Sequence, residues 1–169
     1  MKREAHSKNL RLHRLSDVPA TFFVTKSLHP KKPVLDRSAR QTIVSAFAFA
    51  VKRERIYLRA FVVMPDHLHA LFALHADWTL PKFMHVLMSY LGRETYQSLT
   101  AANTAWQEGY YETRIRTARQ FEFVANYIER NPVVKGLVDQ STGWEACSVV
   151  RNDLITDPWP WFFDEESRH

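Results

Sequence analysis

Two runs of strand-forming residues, Ile56 to Val63 and His67 to Leu74, stand either side of Met64-Pro65-Asp66. A proline and an aspartate between two such runs make a turn, so the segment is predicted to fold as a β-hairpin. The hairpin commits the chain to an antiparallel sheet. It also orients the first residues of its second strand, His67-Leu68-His69. Side chains alternate across a strand, so His67 and His69 point to one face and Leu68 to the other. Two imidazoles side by side on one face can bind one divalent metal ion. Alone, a His-x-His on a strand is more often a pair of surface or packing histidines.

The elements around the hairpin follow from local pattern. Residues 1–18 are polar and basic and read as an arm or loop. Ala20 to Lys26 is β-branched and aromatic and reads as a strand, broken by His29-Pro30-Lys31-Lys32-Pro33. Asp36 can cap a helix running to about Glu54, with Ile43, Phe47 and Val51 on one face. Asp77 or Thr79 can cap the next helix, with Pro81 in its first turn and a stripe of Phe83, Val86, Leu87, Tyr90 and Leu91. A polar loop covers 100–104, and Trp106 to Arg116 holds a short fourth strand. Residues 117–130 read as a helix that Pro132 ends, followed by a turn and short extended piece from Val133 to Val138. Residues 139–169 show no clear period. The order strand, helix, strand, strand, helix, strand, helix makes an α+β fold of ferredoxin-like type, an antiparallel sheet with helices packed on one face. The expected organisation is one domain over 1–150, including the arm, and an acidic aromatic tail over 151–169.

Composition narrows the function classes. A chain of 169 residues holds one domain with a real core. No apolar run spans a membrane, and the basic N-terminus lacks the apolar stretch of a signal peptide. Cys147 is the only cysteine, which excludes an internal disulfide and a cysteine metal site and fits a reducing cytoplasm. Residues 1–60 carry 14 Lys/Arg against 4 Asp/Glu, or +10, while residues 61–169 carry 9 against 14, or −5. A basic half of this kind makes a field for a polyanion, and nucleic acid is the obvious candidate.

A second pattern, Tyr127-Ile128-Glu129-Arg130-Asn131, gives the histidine pair a chemical context. Tyr127 and Asn131 are four apart and share a helix face. A phenol with a pKa near 10 is a poor nucleophile unless its electrophile is activated, and a metal-bound phosphodiester meets that need. His67, His69 and the side-chain oxygen of Asn131 would be the protein ligands, with Tyr127 as nucleophile. Such a mixed nitrogen and oxygen shell suits Mg²⁺ or Mn²⁺. Tyr110 and Tyr111 are competing nucleophiles whose aromatic context favours packing or base stacking.

With these residues in view, the chain resembles the REP-associated tyrosine transposases, a family of single-tyrosine HUH transposases. HUH denotes His, bulky hydrophobic, His, here His67-Leu68-His69. The surrounding Val62-Val63-Met64-Pro65-Asp66 is family-like, as is the run from Tyr127 through Asn131-Pro132-Val133-Val134-Lys135-Gly136. Trp106-Gln107 with Tyr110-Tyr111-Glu112 and Ile115-Arg116 is a third match, and the three together cover about residues 20–150. The resemblance implies a 5′-phosphotyrosine intermediate on single-stranded DNA, a free 3′-OH on the other product, and recognition of REP-like palindromic hairpins. It departs from the pattern at Thr113, where relatives often have His, and at Asn131, where the broader transposase family has Gln.

DNA-contact candidates are Lys2, Arg3, Lys8, Arg11 and Arg14 in the arm, and Arg114, Arg116, Arg119 and Arg130 beside the expected site. Each taken singly is as readily a solvated surface charge. His75 and His85 read as surface histidines, and His6, His13 and His29 as exposed or phosphate-touching. The expected protein is a cytoplasmic, nucleoid-associated monomer or homodimer. Two other classes remain open: a domesticated module that binds hairpin DNA or RNA without strand transfer, and a metal-dependent hydrolase in which water is the nucleophile.

Overall fold

The computed structural model describes residues 4–5, 20–30, 34–94 and 106–160. Strands β1 (Glu4–Ala5), β2 (Thr21–Ser27), β3 (Ile56–Val63), β4 (His67–Leu74) and β5 (Tyr111–Ile115) form one sheet in the order β1-β5-β2-β4-β3. Every pairing is antiparallel. Helices α1 (Arg37–Lys52), α2 (Leu80–Glu94) and α3 (Ala118–Val134) complete the regular structure of the described residues, with short 3₁₀ turns at Ser141–Gly143 and Asn152–Leu154. The core β2-α1-β3-β4-α2-β5 has the ferredoxin-like succession. The arm is not all loop: Glu4 and Ala5 pair with Glu112 and Tyr111 on the outer side of β5. Two residues are too few for a period, so the sequence carries no sign of this strand.

The helix starts obey local rules. The Asp36 carboxylate accepts from the Ala39 N–H at 2.8 Å and caps α1. Thr79, the other candidate against Asp77, accepts from the Lys82 N–H at 3.4 Å and from the Phe83 N–H through its carbonyl at 2.9 Å. α3 overruns its expected stop. Pro132 lies inside it, because proline's fixed φ suits a helix and the loss is one hydrogen bond to the carbonyl four residues back. The helix ends just beyond, where Gly136 takes φ +68° and its N–H bonds the Val133 carbonyl.

Alternation along β4 divides the molecule into layers. Leu68, Ala70 and Phe72 face α1 and α2: Phe72 packs 5.1 Å from Phe83 of α2, and Phe61 of β3 packs 5.4 Å from Phe47 of α1. All four rings are fully buried, each worth about 1.5–3 kcal/mol of apolar transfer. His67, His69 and Leu71 face the other way, where α3 lies. The two ferredoxin-like helices therefore share one face as expected, while α3 adds a layer on the other. Neither face of β4 is open along its length, which is why its residues after the two histidines read as apolar throughout.

Residues beyond 143 close the outer edge of β3. The Val63 N–H donates to the Ala146 carbonyl and the Ser148 N–H to the Phe61 carbonyl, both at 2.9 Å. The Trp144 indole N–H donates to the Val63 carbonyl at 2.9 Å, and the Thr156 N–H to the Leu58 carbonyl at 2.7 Å. Arg40 of α1 holds this segment, bonding Glu145 at 2.7 Å and lying 4.7 Å over the Trp144 ring. Packing continues past residue 150, where a separate tail was expected to begin: Leu154 is buried, and Trp159 packs 5.1 Å from Phe121 of α3. The rest of the acidic aromatic tail, 161–169, lies outside the described residues. An edge covered in this way cannot pair with a second sheet.

The indole bond gives a direct test of this cover. Trp144→Phe keeps an aromatic ring but strands the Val63 carbonyl, so urea unfolding should show a loss of about 1–2 kcal/mol. Unchanged stability would mean that the bond contributes nothing.

Candidate functional site

Strand register assembles the site. Thr25 of β2 stands opposite His69 of β4, and His69 stands opposite Val62 of β3. On its other side Thr25 faces Tyr111 of β5. The next row on the same face is Thr113, Phe23, Leu71 and Ala60. Over these rows lies α3. Its Tyr127 ring sits 5.5 Å from the His69 ring and edge-on to Phe23 at 6.1 Å.

Both histidines are held through Nδ1. His69 Nδ1 is 2.8 Å from the Thr25 hydroxyl in a buried contact, and His67 Nδ1 is 2.7 Å from the Asp66 carboxylate. The two rings lie 4.6 Å apart at 69°. With Nδ1 committed in each ring, Nε2 is the nitrogen through which each would ligate a metal. His69 is 2 % exposed, whereas Tyr127 is 37 % exposed. A buried, oriented imidazole therefore adjoins a phenol that an outside molecule can reach.

Asn131 follows Tyr127 by one helical turn and is buried at 3 % exposure. Its side-chain oxygen Oδ1 has no hydrogen-bond partner among the described residues. A buried acceptor left in this way costs about 1–3 kcal/mol. Among the described residues no three His, Cys, Asp or Glu side chains converge to hold a metal ion. The donors on offer are thus two imidazole nitrogens and one orphaned amide oxygen. That mixture fits a hard divalent cation that completes its shell with water or phosphate.

The contacts that seat α3 lie away from the tyrosine. Arg59 of β3 pairs with Glu129 at 3.1 Å and lies 5.7 Å over the Phe121 ring. A register shift between Leu58 and Ala60 interrupts the alternation at Arg59. The Ser141 hydroxyl donates to the Glu129 carbonyl at 2.6 Å. Sequence reasoning does not single out Thr25, Asp66, Arg59 or Glu129. Asp66 is legible as the neighbour of His67, but the others need the strand pairing and the bulge.

The arginines separate. Arg130 is exposed on α3, three residues from Tyr127. Arg119 is exposed in the first turn of α3, roughly 12 Å from Tyr127 along the axis at 1.5 Å per residue. Arg116 is exposed between β5 and α3, its backbone N–H bonded to Gln120 at 2.9 Å. Arg114 pairs with Phe22 in the β2–β5 register and so belongs to the face of α1 and α2, not beside the histidines as expected. Strand alternation alone decides this, and the sequence places that strand only loosely. Lys2, Arg3, Lys8, Arg11 and Arg14 lie outside the described residues, as do His6 and His13. Tyr110 is buried, while Tyr111 is partly exposed on the histidine face. His75 is not a plain surface residue: it stacks on Tyr57 at 3.8 Å, and burial lowers its pKa. Cys147 is buried and its thiol pKa is pushed up, first by that burial, so it is no reactive nucleophile.

Comparison with known proteins converges on one family. Residues 22–131 match the family described as Transposase IS200 like, a stretch that runs from β2 to Asn131. The REP-associated tyrosine transposase of Escherichia coli K12 is 31% identical over 144 residues, covering 83% of this chain and 82% of that one. A solved structure of a REP-associated tyrosine transposase bound to a REP hairpin superposes with a TM-score of 0.68 at 25% identity, over 87% of this chain and 89% of that chain. The matched stretch holds the histidine strand, the tyrosine helix and the sheet that joins them, and on that evidence the chain belongs to the IS200-like transposase family, a family of enzymes.

Proposed function

We propose that this protein cleaves and rejoins single-stranded DNA at REP-like hairpins, with Tyr127 as the nucleophile and Mg²⁺ or Mn²⁺ as the metal. The observation that carries the reading is Tyr127 packed 5.5 Å from an imidazole that is one of an oriented pair. The hairpin as substrate class is supported by the similar transposase solved on a REP hairpin. All the groups named come from one chain, so either a monomer or a homodimer can carry them. DNA as substrate sets the protein at the nucleoid, and no described helix is long and apolar enough to cross a membrane.

His67 and His69 through Nε2, and Asn131 through Oδ1, would hold the metal. When bound, it would offset the charge on the non-bridging oxygens of a phosphodiester. The chain's own residues do the rest. The Tyr127 oxygen attacks phosphorus, forming a P–O bond to the protein while the bond to the 3′ oxygen breaks. The phenol proton is lost and the 3′ oxygen gains one, leaving a 5′-phosphotyrosine and a free 3′-OH. One phosphodiester replaces another, so reversal rejoins the strand without a nucleotide cofactor. Arg59 and Glu129 hold α3 so that Tyr127 stays over the histidine face. Arg130, Arg119 and Arg116, with the basic arm, supply phosphate contacts.

Tyr127→Phe should lose the covalent protein–DNA band on a denaturing gel while hairpin affinity changes less than about twofold, since binding rests on other groups. A band that persists in Tyr127→Phe would move the nucleophile, first to Tyr111.

His67→Ala and His69→Ala should each abolish cleavage, and EDTA should do so reversibly; full activity in EDTA would contradict metal dependence. Thr25→Val should weaken Mn²⁺ binding by about 10–100-fold in calorimetric titration, with Thr25→Ser close to wild type, because the hydroxyl orients His69. Equal affinity in the valine variant would show that the Thr25 bond is idle.

Replacing Lys2, Arg3, Lys8, Arg11 and Arg14 together by Ala should weaken hairpin binding and lower its salt slope by about 0.7 for each phosphate the arm no longer neutralises. An unchanged slope would make the arm a bystander.

A further inference from the structure

The far end of the β3–β4 ribbon carries a row of cations and rings that the proposed chemistry does not use. The Arg53 guanidinium lies 5.2 Å over the Phe49 ring, and Arg55 lies 5.1 Å over the same ring. Arg55 also lies 4.9 Å from the Trp78 ring, and the Lys82 ammonium lies 4.6 Å from Trp78. Cation and aromatic alternate through five side chains. Backbone bonds fix the row, since the Arg55 N–H donates to the Ala50 carbonyl at 2.9 Å and the His75 N–H to the Arg55 carbonyl at 3.0 Å.

Two features set this row apart from ordinary surface charge. First, among the described residues none of the three cations has a carboxylate within ion-pair distance, although Glu54 and Asp77 are near in sequence. Ring packing restrains the side chains without neutralising them, which leaves oriented positive charge. The C-terminal end of α1 accounts for Arg53, which caps it, but not for Arg55 or Lys82. Second, Phe49 is 47 % exposed and, with Arg55, borders a groove of about 690 Å³ between α1 and α2 that also presents Tyr90 and Arg93. Cations beside an aromatic-lined groove match a nucleotide strand, with phosphates on the first and an unstacked base in the second.

We infer that Arg53, Arg55 and Lys82, with the adjoining groove, form a second DNA contact that grips a single-stranded segment away from the cleaved phosphate. This rests on the DNA-cleaving reading of the Tyr127 site. His67 opens β4 and Leu74 closes it, so the two sites lie roughly 23 Å apart along the strand at 3.3 Å per residue. They also belong to opposite layers of the sheet. DNA that touches both must span that distance around the sheet.

The test uses the full chain and two labelled probes: a five-nucleotide single strand, and a hairpin of about thirty nucleotides with single-stranded flanks. The variant is Arg53→Gln, Arg55→Gln and Lys82→Gln together; Lys82→Gln alone, at an exposed position, guards against misfolding of the triple change. Fluorescence anisotropy should show hairpin affinity reduced about tenfold or more and the salt slope smaller by about 2 in the triple variant. In Lys82→Gln the slope should fall by about 0.7; short-probe binding should weaken in the triple variant, since a single strand of that length fits the second contact alone, while the covalent band on the hairpin at saturating protein should be unchanged in both variants. Unchanged hairpin affinity and slope in both variants would overturn the second contact and leave the Tyr127 reading standing. A wild type that binds neither probe would overturn both.

Discussion

The β2–β4 register is the constraint on which the site depends. It puts Thr25 opposite His69, so the hydroxyl meets Nδ1 at 2.8 Å. A slip of one residue would turn His67 and His69 toward α1 and α2 and set Leu68 under Tyr127. The register is protected by burial on both faces: Phe23 and Leu71 pack on the histidine side, Phe22 and Phe72 on the other. The same apolar packing that stabilises the sheet therefore fixes which ring nitrogens face outward. The geometry of the histidine pair and the packing of the core are one property of these strands.

Layering divides the work. α1 and α2 bury one face of the sheet, and α3 crosses the other and brings a tyrosine to the histidines. Arg59 and Glu129 seat α3 from a part of β3 where alternation fails, so a local bulge serves to position a distant phenol. Exposure is graded to match, from buried His69 and Asn131 to accessible Tyr127. The orphaned amide oxygen of Asn131 in the buried part is costly for folding alone, and it is the atom that the proposed cation would satisfy.

Where the signal is local, the sequence is readable. Ile56–Val63 and His67–Leu74 have the expected bounds because β-branched and aromatic residues end sharply at a Pro-Asp turn. α1 begins at its Asp36 cap for the same reason. α3 continues past Pro132 because a proline in the last turn forfeits only one bond, a balance that no single-residue rule settles. Residues 144–156 show no period because their order comes from the β3 edge, a partner some 90 residues away in the chain. Within the site, the spacing of His67, His69, Tyr127 and Asn131 is legible as shared faces. Thr25 and Arg59 are not, since their roles exist only after the strands pair. Arg114 falls on the opposite side from the one expected because the bounds of its strand, and hence its parity, are not visible in the sequence.

The central claim is that His67 and His69 present two nitrogens to one cation beside Tyr127. Electron–nuclear spectroscopy of bound Mn²⁺, with the protein labelled at histidine nitrogen-15, tests it most directly. The account expects hyperfine coupling from two histidine nitrogens in the wild type and from one in His69→Gln. A bound Mn²⁺ with no histidine nitrogen coupling, or a spectrum unchanged by His69→Gln, would contradict it.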